Sequence, residues 1–166
     1  LLRAAKLEII SIRAIIFYSY FCTPMTKTAQ QLKALISTPK KIVITTHRGP
    51  AVDAIGSSLA LCNFLEQLGH TVIVITPNEY AKFLHWLPGN DAVINYEGNE
   101  EKAAAITAEA DLILLLDFSH LSRIATFASA VSKSKATKIM IDHHQDPDTD
   151  IAELIFSDTT ACSTAQ

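Results

Sequence analysis

"KIMIDHHQDPD", residues 138–148, runs from an apolar stretch directly into an aspartate and two adjacent histidines. Ile139, Met140 and Ile141 suit a strand buried on both faces of a parallel sheet, whereas Asp142, His143 and His144 are costly to bury without partners. The polar trio therefore belongs at the strand's carboxyl end. In open α/β sheets that edge is where ligands collect, so the rest of the chain is read for groups that could meet two histidines there.

Working outward, short apolar runs alternate with helical ones from Lys40 onward. "KIVITTH" reads as a strand, "DAIGSSLALCNFLEQLG" as a helix and "TVIVITP" as a strand, followed by a loop and short helix through "NEYAKFLHWLPGN". A weak strand "AVINY", a helix "NEEKAAAITAEA", the strand "DLILLLD", a helix "LSRIATFASAVSKS", the strand "TKIMID" and the run "AELIFSD" complete the order. Strands separated by helices of this length imply right-handed crossovers and a mainly parallel sheet covered on both faces, a three-layer αβα domain. Asp53 is placed to cap the first of these helices and Gly69 to close it. Trp86 in "FLHWLPG" and Cys62 on a helix's apolar face read as core, and "SDTTACSTAQ" reads as the opening of a further helix.

The chain has 166 residues, 49% hydrophobic and 19% charged, enough for one domain with a sizeable core. A formal charge of −3 offers no general attraction for nucleic acid, so a phosphate-bearing ligand would be held locally. Cys22, Cys62 and Cys162 are odd in number, widely spaced and form no CxxC pattern, so neither a disulfide framework nor a thiolate zinc site is indicated, and a reducing, cytoplasmic setting fits best. Residues 1–24 loosely resemble a secretion signal, but the apolar stretch 14–22 is far short of the ~17–25 residues that span a bilayer as a helix. We read 1–24 as a leader or non-native extension, no membrane association, and 25–166 as the folded domain, beginning at Met25.

Strand ends supply the chemistry. "VITTHRGPAVD" presents His47 and Asp53, "LILLLDFSH" presents Asp117, "IMIDHH" presents Asp142, His143 and His144, and "LIFSD" ends in Asp158. Carboxylates and imidazoles converging from several strand ends would repel or lie unpaired without a cation, and divalent metals satisfy them together. Each residue also has an ordinary reading. His143 and His144 could hydrogen-bond to backbone, Asp53 could be an N-cap, Asp117 a turn residue, Arg123 a surface charge and Asp158 a terminal turn. His120 lies on a loop where it could approach substrate, and His85 is not a ligand candidate.

These stretches resemble the DHH phosphoesterase superfamily, whose members include RecJ-like exonucleases, manganese-dependent pyrophosphatases and cyclic-dinucleotide phosphodiesterases. "DAIGSSLAL", "LPG", "DFSHLSRI" and "STAQ" are most similar to the bifunctional oligoribonuclease and 3′-phosphoadenosine 5′-phosphate (PAP) phosphatase type, over about residues 28–166. The resemblance implies two divalent ions, Mn²⁺ before Mg²⁺, Co²⁺ or Zn²⁺. It places His47 on the first ion, Asp53, His143 and Asp158 on the second, Asp117 bridging both, and His144 facing the substrate phosphate. Asp142 and Arg123 would support these ligands from behind. The family motif H-x-x-P-D-x-D-A has an aspartate where this chain has Ala51, which weakens the first site, and Val52 would resist a left-handed backbone in the same loop.

The expected activity is hydrolysis of phosphate esters in short RNA or PAP-like nucleotides by a 3′-5′ exoribonuclease or phosphatase, in a chain that stops before a C-terminal substrate-binding domain and is weak alone. The alternatives are a manganese-dependent inorganic pyrophosphatase, using the same residues, and a non-catalytic nucleotide-binding regulatory domain, motivated by Ala51. A homodimer is compatible with this reading.

Overall fold

A computed structural model describes residues 26–166. The leader reading for residues 1–24, Cys22 and Met25 lie outside them. Helix α1 (Lys27–Leu35) leads into β1 (Lys41–Thr46), α2 (Val52–Gln67), β2 (Thr71–Thr76), the two-residue β3 (Ile94–Asn95) and α3 (Glu100–Glu109). Then follow β4 (Leu112–Leu116), α4 (Phe127–Lys133), β5 (Thr137–Asp142) and β6 (Leu154–Ser157). The six strands form one parallel sheet in the order β3-β2-β1-β4-β5-β6.

Every residue of β4, "LILLL", is buried, as a strand covered on both faces requires. Alternate strand residues sort into two cores. Ile42, Ile44, Leu112, Leu114 and Leu116 meet Ile55, Leu59 and Leu65 of α2, with Leu32 and Leu35 of α1 against the same side. Val43, Ile113, Leu115 and Met140 meet Ala103 of α3 and Phe127 and Val131 of α4. The result is the three-layer αβα arrangement. Half-buried Cys62 packs against the first core, and burial, aided by Glu66, pushes its thiol up to about 11.

Successive strands add outward from β1 through β2 to β3, and then from β4 through β5 to β6 on the other side. The order therefore reverses between β1 and β4, which pair directly, Thr46 opposite Leu116. A crevice opens at such a reversal, outside the strands' carboxyl ends, where helices leave in opposite directions.

Four local expectations are corrected. Ala51, not Asp53, is the N-cap of α2; it makes no side-chain cap bond, and Asp53 sits inside the first turn. Val52 begins the helix without a left-handed backbone, because Gly49, at φ 63°, takes that conformation in the loop. Trp86 is 76% exposed, and its neighbour Leu84 fills the core instead. The expected helix over 121–134 is broken at Ala125 (φ 50°) into a 3₁₀ turn, Leu121–Ile124, and α4. In addition, residues 158–166 form turns rather than a helix start. Gly69 does close α2, at φ 89°, its N–H donating to the Glu66 carbonyl at 2.9 Å. Among the described residues no helix is long and apolar enough to cross a membrane.

Candidate metal centre

The reversal between β1 and β4 brings the residues that follow them, His47 and Asp117, face to face. Asp117 leaves β4 with φ 65°, a left-handed conformation that aspartate tolerates better than most residues. Its N–H donates to the Ile141 carbonyl, so the turn is stitched to β5, and the residue is only 4% exposed.

The two oxygens of Asp117 face different imidazoles. Oδ2 lies 3.6 Å from His47 Nε2, and Oδ1 lies 3.2 Å from His143 Nε2. Asp53 joins on the second side, its Oδ2 3.5 Å from the same His143 nitrogen. His144 Nδ1 is 3.9 Å from Asp117 Oδ1 and 2.7 Å from Asp142 Oδ1. Asp117, His143 and His144 each offer a donor atom within 4.8 Å of the others.

Ring tautomers follow from what holds the other nitrogen. His47 Nδ1 is 2.9 Å from the Arg48 carbonyl and His143 Nδ1 is 3.2 Å from the Ala161 carbonyl. A carbonyl only accepts, so both Nδ1 atoms carry the proton and both Nε2 lone pairs are aimed at carboxylate oxygens. Lone pair against carboxylate is repulsive unless a proton or a cation lies between them. Both imidazoles are accordingly held above their ordinary value. For His47 the cause is first the Asp117 carboxylate; for His143, burial pulls downward but the Ala161 carbonyl, Asp117 and Asp53 outweigh it. Burial pushes Asp117 upward, yet His47 and Thr164 hold it below the usual carboxylate value.

Divalent cations fit this donor set, the carboxylates of Asp53 and Asp117 with the imidazoles of His47 and His143; beside them Asp142 Oδ2 is buried and without a hydrogen-bond partner. His144 is half-exposed, and Asp142 holds its Nδ1. The Arg123 side chain is exposed; its charge opposes protonation of His47, and its backbone carbonyl accepts from Arg48 N–H at 2.7 Å.

Asp158 is not among the three residues whose donor atoms lie within 4.8 Å of one another. Its Oδ1 accepts from Thr160 N–H and hydroxyl, which holds the carboxylate below its ordinary value, and it lines the rim of a cavity of about 580 Å³ that His143 also borders. His120 caps the 3₁₀ turn and His85 lies over Tyr80, neither in the cluster. Contacts missed from the sequence are those of Ser163 and Thr164 to Asp53 and Asp117. Their signal was the small polar run "STAQ", whose partners lie too far away in the chain for local pattern to find.

A family model described as the DHH family, N-terminal domain, matches residues 41–166. No curated protein sequence matches. Among solved structures, an exopolyphosphatase-related protein from Bacteroides fragilis is 38% identical with a TM-score of 0.82, over 84% of this chain and 41% of that one. Exonuclease RecJ bound to manganese is 16% identical (TM-score 0.50, 86% of this chain and 35% of that one). An alpha-glucosyltransferase in complex with UDP and DNA is 14% identical (TM-score 0.54, 72% and 38%). The last two likenesses concern the fold alone, and the chain spans less than half the length of all three structures.

Proposed function

The chain belongs to the DHH family, and from that premise we propose that it is the metal-dependent phosphoesterase domain of an enzyme that cleaves phosphate esters of short oligonucleotides or PAP-like nucleotides. One observation carries the reading: the two oxygens of Asp117 face the Nε2 atoms of two different histidines, each with its Nδ1 proton tied to a main-chain carbonyl. That is the arrangement a carboxylate bridging two cations needs. His47 with Asp117 Oδ2 would hold one ion, and Asp53, His143 and Asp117 Oδ1 the other. When bound, divalent ions supply an activated water and neutralise phosphate charge during in-line attack. A mainly oxygen donor set with imidazole favours Mn²⁺, with Mg²⁺, Co²⁺ or Zn²⁺ able to substitute. The manganese in the RecJ structure is that protein's, and it agrees with this preference.

His144 is assigned to the substrate rather than to an ion. Asp142 accepts the Nδ1 proton of His144 at 2.7 Å, so Nε2, when it carries a second proton, would donate to a phosphate oxygen and pass that proton to the leaving oxygen.

The second reading rests on Ala51, which offers no oxygen to the His47 ion: a regulatory domain that binds nucleotides without turning them over. Assaying the full-length protein with Mn²⁺ on a diribonucleotide, PAP, pyrophosphate and polyphosphate separates the readings. Cleavage of the diribonucleotide or PAP, abolished by a chelator, is expected. Cleavage of pyrophosphate alone would make it a pyrophosphatase. Cleavage of polyphosphate alone would align it with the Bacteroides protein's designation, and nucleotide binding without turnover would establish the regulatory reading.

A further inference from the structure

After β6 the chain returns across the crevice and meets the carboxylates with hydroxyl groups. Ser163 Oγ donates to Asp53 Oδ1 at 2.6 Å, Thr164 N–H donates to Asp53 Oδ2 at 3.1 Å, and Thr164 Oγ1 donates to Asp117 Oδ1 at 3.0 Å. An ionised carboxylate only accepts, so the hydroxyls are the donors. Thr164 therefore touches both acids with two different groups, across 111 and 47 positions of sequence. The same segment supplies the Ala161 carbonyl that fixes the His143 tautomer.

This segment is itself braced. Asp158 N–H donates to the Asp142 carbonyl, and Asp158 Oδ1 accepts from Thr160 N–H and hydroxyl, which turns the chain back towards the crevice. Ser163 Oγ accepts from Ala165 N–H at 3.1 Å, which orients the hydroxyl whose proton goes to Asp53. Asp158 thus shapes the turn that delivers Ala161, Ser163 and Thr164.

We propose that Ser163 and Thr164 are positioning residues of the metal centre, aiming the Asp53 and Asp117 carboxylates so that their remaining lone pairs converge on a cation. The proposal rests on the metal-dependent reading of the cluster. Each carboxylate oxygen has room for about two acceptor interactions, so one bond to a hydroxyl leaves the other direction for a metal. Outer contacts of this kind commonly change metal affinity or activity by ~10–100-fold.

The test is Mn²⁺ titration calorimetry on the full chain, with melting of the metal-free protein alongside. Thr164→Val keeps the shape and the N–H but removes the donor to Asp117, and should weaken Mn²⁺ binding by at least ~10-fold. Thr164→Ser, which keeps the hydroxyl, should restore affinity to within a few-fold of wild type and recover the metal-free melting temperature that Thr164→Val loses with its bond to Asp117. Ser163→Ala, which leaves Thr164 in place, should weaken binding in the same direction and serves as the test if Thr164→Val does not fold. Affinity equal to wild type in Thr164→Val and Ser163→Ala would overturn the positioning role, and tighter binding would show instead that the hydroxyls compete with the ion. A wild-type chain that binds no Mn²⁺ would overturn the metal-dependent reading and this role together.

Discussion

Ala51 caps α2 with an extended backbone (φ −88°, ψ −172°) and an exposed methyl group, four residues beyond His47. An aspartate is sterically admissible there, and two consequences compete. Its carboxylate could serve the ion held by His47, or it could accept from the free N–H groups of the α2 first turn, worth ~0.5–2 kcal/mol as a cap. Ala51→Asp should tighten Mn²⁺ binding by ~10-fold or more in calorimetry. A raised melting temperature in chelator with unchanged Mn²⁺ affinity would show that the new carboxylate only caps the helix. The adjacent histidines should separate just as clearly. His143→Ala removes the nitrogen between Asp53 and Asp117 and should cost ~10–100-fold in Mn²⁺ affinity, whereas His144→Ala should leave affinity within a few-fold and lower kcat. Equal effects of the two substitutions on affinity would contradict the roles assigned here.

Among the elements, the segment after β4 departs most from its sequence pattern. Leu121, Ile124, Phe127 and Val131 fall at helical spacing, so periodicity alone predicts one helix over 121–134, and nothing about alanine marks Ala125 as a break. The cause is non-local. The Arg123 carbonyl accepts the Arg48 N–H from the loop after β1 at 2.7 Å, and Ala125 turns to φ 50° while Ile124 and Phe127 both stay fully buried. A non-glycine residue at positive φ costs ~1–2 kcal/mol, and the entropy that glycine adds to the unfolded chain returns ~0.4–1 of it. Ala125→Gly should therefore stabilise the chain by up to ~1 kcal/mol and raise its melting temperature by ~2–4 °C. A lower melting temperature would show that the Ala125 methyl packs more usefully than its backbone is strained.

Across the whole molecule, the metal centre couples stability to pH in opposite directions with and without a cation. Without metal, His47 and His143 are raised, so their contribution is complete below about pH 6.5 and is lost as pH rises through their raised values. Asp117 is lowered, so its contribution is present above about pH 3.9 and is lost as pH falls through its depressed value. In chelator the melting temperature should therefore fall between about pH 6 and 8, while Mn²⁺ affinity rises over the same interval because the ion replaces the imidazole protons. Melting curves with chelator and with Mn²⁺ across that range check both signs; parallel curves would mean that the histidines bind no ion. The strands of this molecule were legible locally, since a parallel strand buried on both faces must be a continuous apolar run, as in β1, β4 and β5. So was the chemistry at their ends, since Asp117, His143 and His144 stand directly after apolar runs that cannot hide them. Local pattern could not say that β1 lies beside β4 rather than at an edge, that Asp53 is held by Ser163 and Thr164 instead of capping its helix, or that Trp86 stays in solvent. Those outcomes depend on hydrogen bonds and packing between segments many tens of residues apart, which only the assembled sheet brings into contact.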